Sequence, residues 1–196
     1  MSAAAVDGGG AVALDSLRRR MRALFSLYEE AVATMGPEHV NAQPVEGALP
    51  IAFSLFHYVH LQDASMIPVS GTPPVWDEGW AARVQPAIAD HGKERTPEEM
   101  QDQRIDGWAG FGDYQAAVFA RTEGYLAGIG ADDLDRVVVP RPLPDRLAST
   151  FSARVAGSQG ITVLDALECW IYQHGMRHMG EIEYVRGLLG LGGLTS

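Results

Sequence analysis

The chain has 196 residues, 46% of them apolar and 20% charged, which suits one domain with a buried core and excludes a disordered chain. Its 15 Lys and Arg against 25 Asp and Glu leave a net charge of −10, which argues against a nucleic-acid binder and against adsorption to an anionic membrane. A single cysteine, Cys169, excludes an intrachain disulfide framework and any CxxC zinc site.

The opening MSAAAVDGGGAVALDS has neither a basic nor an apolar signal-peptide region, so residues 1–14 are read as a flexible N-terminus. No stretch approaches the roughly 18 apolar residues of a membrane-spanning helix, and the expectation is a soluble, cytoplasmic chain. Asp15 or Ser16 can cap a first helix over 15–35, with the stripe Leu17, Met21, Leu24, Tyr28, Ala31, Met35 and a stop at Gly36-Pro37. A second helix is predicted over 50–67, ending before Pro68, with Phe53, His57, Leu61 and Ala64 on its apolar face.

The connection 68–105 is rich in proline, with a local helix start at Thr96-Pro97-Glu98-Glu99. A third helix over 106–129 carries Trp108, Phe111, Gln115, Val118, Thr122, Tyr125 and Ile129 in register. The connection 130–161 contains an extended segment at Val137–Val139 and three further prolines. Thr162 can cap the fourth helix, 163–189, with the stripe Leu167, Ile171, His174, His178, Ile182, Val185, Leu189. Four amphipathic helices with two long crossover connections predict an all-α fold, a four-helix bundle. Trp76, Trp80 and Trp108 can either line a pocket under the first connection or serve as core.

Of six histidines, His39 and His91 fall in loops and are read as solvated. His174 and His178 stand one helical turn apart on the apolar stripe, so both imidazoles point into the bundle. Two such rings need partners, and the alternatives are a hydrogen-bonded core pair or a shared divalent metal. His57, on the apolar face of the second helix, is the candidate third ligand, with His60 its competitor. Three histidines with open positions have the form of a catalytic rather than a structural site. Asp63 can pair with His60 near that site or make an ordinary helix-surface contact with it. Cys169, off the histidine stripe, is read as a packed, inert thiol.

The stretch His174-Gly-Met-Arg-His178-Met-Gly180-Glu181-Ile182-Glu-Tyr-Val-Arg186 resembles the C-terminal signature of the DinB/YfiT-like superfamily. Leu55-Phe56-His57-Tyr58-Val59-His60-Leu61-Gln62-Asp63 is similar to that superfamily's helix-two histidine with a following acid, and by this register His57 matches the ligand. Tyr114, Val118, Thr122 and Tyr125 and the segment 134–137 extend the likeness along nearly the whole chain, read as a single domain, 1–196.

The resemblance implies a four-helix bundle, often a homodimer, that binds a divalent metal through His57, His174 and His178. Zinc is the first choice, with nickel, iron and manganese as the other candidates. It also implies transfer of a low-molecular-weight thiol to an electrophilic substrate. A metal-dependent hydrolase, or a non-catalytic metal-binding or stress-response bundle, is the alternative. Lys93 is the only lysine and Ala and Gly are abundant, a bias of GC-rich bacterial genomes; the likeness to actinobacterial members is what implies mycothiol rather than bacillithiol as the thiol. Glu181 departs from the pattern, standing where many members have Gln. It shares the histidine face and is the candidate catalytic group, to orient an imidazole, accept a proton or touch substrate.

Overall fold

The computed structural model describes residues 7–194, and the chain there is mostly helical. Four long helices dominate: α1 (Asp7–Thr34), α3 (Ile51–Ser70), α6 (Trp108–Gly128) and α10 (Gln173–Leu188). Short helices fill the connections: α2 (Pro37–Val40), α4 (Glu78–Val84), α5 (Pro97–Met100), α7 (Asp145–Ala148), α8 (Phe151–Val155) and α9 (Val163–Ala166). β1 (Val137–Pro140) and β2 (Gly160–Thr162) form a small antiparallel ladder, pairing Val137 with Thr162 and Pro140 with Gly160. No helix among the described residues is long and apolar enough to cross a membrane.

The long helices pack in a ring, α1 on α6, α6 on α3, α3 on α10 and α10 on α1. Every member of the predicted α1 stripe, from Leu17 to Met35, is buried in the shared core. Phe25 of α1 stacks on Phe119 of α6 with centroids 4.1 Å apart, and Tyr28 stacks on Tyr58 of α3 at 4.4 Å. The Tyr28 hydroxyl donates to the Gly175 carbonyl at 2.9 Å, tying α10 to α1. α10 comes so close here that a Cβ on Gly175 would stand 2.7 Å from Leu24 and from the Tyr58 ring. That close approach sets the helix carrying His174 and His178 directly against α3.

Four boundaries differ from the sequence reading. α1 begins at Asp7, so of the residues read as flexible, 7–14 are helical, while 1–6 lie outside the described residues. The Gly8-Gly9-Gly10 run lowers helix propensity, but Leu14 is in the core and a Cβ on Gly10 would stand 3.1 Å from the Ala131 Cβ. Close packing against the 3-10 turn Ala131–Asp135 therefore outweighs the propensity.

α3 runs through Pro68 to Ser70. The proline falls in the last turn, where Gly71 at φ +72° closes the helix by donating to the Ile67 carbonyl at 2.9 Å. Strand β2 is a second extended segment in the connection 130–161, where the sequence reading has one only at Val137–Val139. At Gly160, with φ +134°, a Cβ would sit 2.1 Å from the Val139 carbonyl oxygen, so only glycine lets the strands approach. Finally, the fourth helix is not uniform: Leu167–Tyr172, between α9 and α10, is a π-helical segment. Such segments widen the helix by an extra residue per turn and recur at functional sites. Thr162 and Asp165 form the expected capping box, as do Thr96 and Glu99.

Asp63 is not a surface residue, and although its charge acts on His60, its hydrogen bonds go elsewhere. It is 1% exposed and accepts from the Val75 and Trp76 N–H groups (2.9 and 2.8 Å), the Tyr114 hydroxyl (3.2 Å) and Arg121 (2.6 Å). One carboxylate thus joins α3, α6 and the chain entering α4. Removing one partner of a buried pair leaves the other uncompensated, so Asp63→Ala is expected to lower unfolding free energy by about 3–5 kcal/mol. A urea titration checks this, and a loss below about 1 kcal/mol, the scale of a surface change, contradicts the assignment.

Candidate metal centre

α3 contributes His57 from its buried face, and α10 contributes His174 and His178, one turn apart. Their ring atoms converge. His174 Nε2 lies 3.3 Å from His57 Nε2 and 2.9 Å from His178 Nε2. One nitrogen from each ring falls within 4.8 Å of the others, close enough to hold a metal ion. Three nitrogens about 2.0–2.1 Å from a tetrahedral zinc would stand roughly 3.3 Å apart, so the spacing fits.

The hydrogen bonds behind the rings decide which nitrogen carries the proton. His57 Nδ1 meets the backbone carbonyl of His91, which can only accept, so this nitrogen is the N–H. His178 Nδ1 lies 2.7 Å from Glu181 Oε2, again an acceptor. In its neutral form each of these rings therefore presents a bare Nε2 lone pair to the third. A single N–H on His174 Nε2 could satisfy only one of them. His174 Nδ1, buried, has no hydrogen-bond partner. Nε2 atoms converging on one point, with the His57 and His178 protons held at the far nitrogens, form a donor set that could hold a metal ion.

Burial, followed by the nearby His178, pushes the His57 imidazole down to about 4. Burial with His178 and His57 pushes His174 down to about 2. Burial pushes His60 down to about 4 as well, although its ring is occupied elsewhere, stacked on Phe56 and edge-on to Trp76. The His57, His174 and His60 rings are thus neutral at pH 7. In unfolded chain a histidine takes up its proton near 6.5, whereas these folded rings take it up only near 4 or below. Between those limits the unfolded state binds more protons, so stability falls as pH falls, by about 1.4 kcal/mol per unit and histidine. The chelated protein is therefore expected to lose several kcal/mol between pH 7 and pH 5. Equal urea midpoints at the two pH values would contradict buried neutral rings.

Glu181 is half exposed and stands behind His178, where its Oε2 also accepts from the Ser54 hydroxyl at 2.9 Å. Burial alone would raise its carboxyl, but the His178 and Ser54 hydrogen bonds hold it below the usual range. Sequence reasoning missed Ser54 and the His91 carbonyl. Nothing in residue type signals a backbone acceptor, and Ser54 acts through a contact 127 positions away. The His91 ring, read as solvated, lines the cleft beside the centre, while His39 is spent on the Gly36 N–H at the start of α2.

That cleft has a volume of about 760 Å³, and both His57 and His174 line it. Its walls come from α3, from the two long connections and from the π segment, including Trp170 and Cys169. Cys169 is 7% exposed, and burial pushes its thiol up to about 11. The tryptophans singled out in sequence lie elsewhere: Trp76 and Trp80 pack on Tyr114, and Trp108 stacks on Phe111.

No family model and no curated protein matches the chain. Among solved structures it is similar to the crystal structure of the conserved protein of locus from Enterococcus faecalis. The TM-score is 0.68 at 19% identity, covering 90% of this chain and 96% of that one. The likeness is one of fold.

Proposed function

We propose that the chain is a metal-dependent enzyme of the DinB-like four-helix-bundle type, transferring a low-molecular-weight thiol to an electrophile. The closed packing ring of α1, α6, α3 and α10 supports the bundle reading. The observation that carries the function is the convergence of three Nε2 atoms beside an open cleft, with two of the rings fixed as lone-pair donors.

His57, His174 and His178 would hold one divalent ion, with zinc the first choice because neutral imidazole and a four-coordinate geometry suit it. When bound, such an ion supplies the positive charge that lets a thiol ionise well below its free value of about 8.5. The chain's own part is to orient and to exclude. The His91 carbonyl and Glu181 keep two imidazoles turned toward the centre, and Ser54 steadies Glu181. Glu181 is thereby a positioning residue in this reading. Its oxygen is engaged behind His178, which is a poor placement for the water-activating base of a hydrolase. Cys169 stays protonated, so the reacting sulfur comes from the cosubstrate, mycothiol or a related thiol.

The test is conjugation of a panel of small thiols to a chromogenic aryl halide by loaded and by chelated protein. Thiol-independent hydrolysis by the loaded form alone would overturn the transferase reading.

A further inference from the structure

We infer that the cleft beside the three histidines receives an organic anion, an apolar body ending in a carboxylate or phosphate, held by Lys93, Arg146 and Arg177. The argument starts from where the positive charges go. The chain has 15 Lys and Arg against 25 Asp and Glu, so carboxylate partners are in excess. Among the described residues eleven of the basic side chains are hydrogen-bonded. Some pair with acids, as Arg95 does with Asp90, and others with backbone carbonyls, as Arg18 does with Leu126 and Ile129.

Only Lys93, Arg146, Arg154 and Arg177 have no such partner, and three of these four line one cleft. They arrive from separate parts of the chain: Lys93 from the connection between α4 and α5, Arg146 from α7 and Arg177 from α10. Three like charges gathered round one concavity repel one another, and a single carboxylate, Glu94, shares the lining. An incoming anion relieves that repulsion. Arginine forks suit carboxylate and phosphate oxygens alike, so the head group is an oxyanion. Leu61, Pro68 and Phe151 supply apolar wall in the same cleft, which suits a body of hydrocarbon rather than a bare inorganic ion.

That the anion is a substrate rests on the metal-centre reading, because His57 and His174 line the same cleft; its binding does not. The experiment is therefore run on both chelated and metal-loaded protein. 4-Phenylbutyrate, phenyl phosphate and neutral 4-phenylbutan-1-ol are titrated by calorimetry, with the Trp170 environment followed by fluorescence.

At least one of the two anions is expected to bind about tenfold or more tighter than the alcohol, with an advantage that shrinks in high salt. Which anion binds tighter identifies the head group. The triple variant Lys93→Gln, Arg146→Gln, Arg177→Gln should bind the anions no better than the alcohol. Arg154→Gln, unpaired but outside the cleft, should keep the wild-type preference. All these side chains are exposed, so the variants should retain the wild-type far-UV spectrum. Binding of neither anion, equal binding of anion and alcohol, or an undiminished preference in the triple variant overturns the proposal. Failure of the metal reading would register differently, as no metal taken up while the chelated protein still prefers the anion.

Discussion

His174→Ala is expected to abolish stoichiometric metal binding, where the parent protein takes up one divalent ion per chain. His174 is the middle member of the trio, with its Nε2 facing both His57 and His178. Its removal leaves two imidazoles on different helices with the space of the lost ring beside them, and two neutral donors hold a divalent ion far more weakly than three. His57→Ala and His178→Ala should behave alike. His60→Ala should keep the metal, since that ring packs on Phe56 and Trp76 away from the trio.

Glu181→Ala should give an intermediate result, weakening affinity about 10–100-fold, because His178 loses the carboxylate that fixes its tautomer. Competition against a chelator of known affinity measures the five variants and the parent, and elemental analysis gives the stoichiometry. Because the ion would bind only the folded state, loading at a thousandfold excess over Kd should add about 4 kcal/mol to stability, an increment absent from His174→Ala. Wild-type affinity in His174→Ala would remove the centre from consideration.

The parts of this arrangement that were legible in the sequence are those written in local periodicity. The apolar stripe of α1 and the spacing of His174 and His178 follow from 3.6 residues per turn, and Thr162 and Thr96 cap where their types suggest. The choice of His57 over His60 needed the register of a resembling family. The three-residue difference turns the two rings to different sides of α3, one toward α10 and the other toward Trp76.

What stayed hidden depends on contacts distant along the chain. The acceptor for His57 is a backbone carbonyl 34 positions on, and Ser54 meets Glu181 across 127. The π segment is equally invisible, because Leu167, Ile171 and His174 keep helical spacing through it. Asp63 looks like a helix-surface acid until the 71–77 chain folds over it. The unpaired cations of the cleft are a property of pairing, which no single stretch of sequence contains.

The metal-loaded protein is expected to join a small thiol to an electrophile, and His178→Ala to fall to the rate of the chelated protein. The chemistry is a displacement. The thiol loses its proton, a sulfur–carbon bond forms, and the leaving group departs from the electrophile with its electron pair, so no oxidant or reductant is consumed. The protein has one sulfur that could compete as nucleophile, and its setting argues against it. Cys169 is 7% exposed with its thiol pushed up to about 11, so less than about one part in a thousand is thiolate at pH 7. Cys169→Ala should therefore keep most of the rate, whereas loss of any one ligand histidine should not.

The dependence on thiol concentration should saturate, since the cosubstrate must occupy the cleft before it reacts. Glu181→Ala should lose rate mainly at limiting metal and recover at saturating metal, the behaviour of a group that orients His178 rather than one that transfers a proton. A rate in His178→Ala equal to that of the parent would end the metal-centred reading of the reaction. An inactive Cys169→Ala with intact metal binding would move the nucleophile from the cosubstrate to the chain.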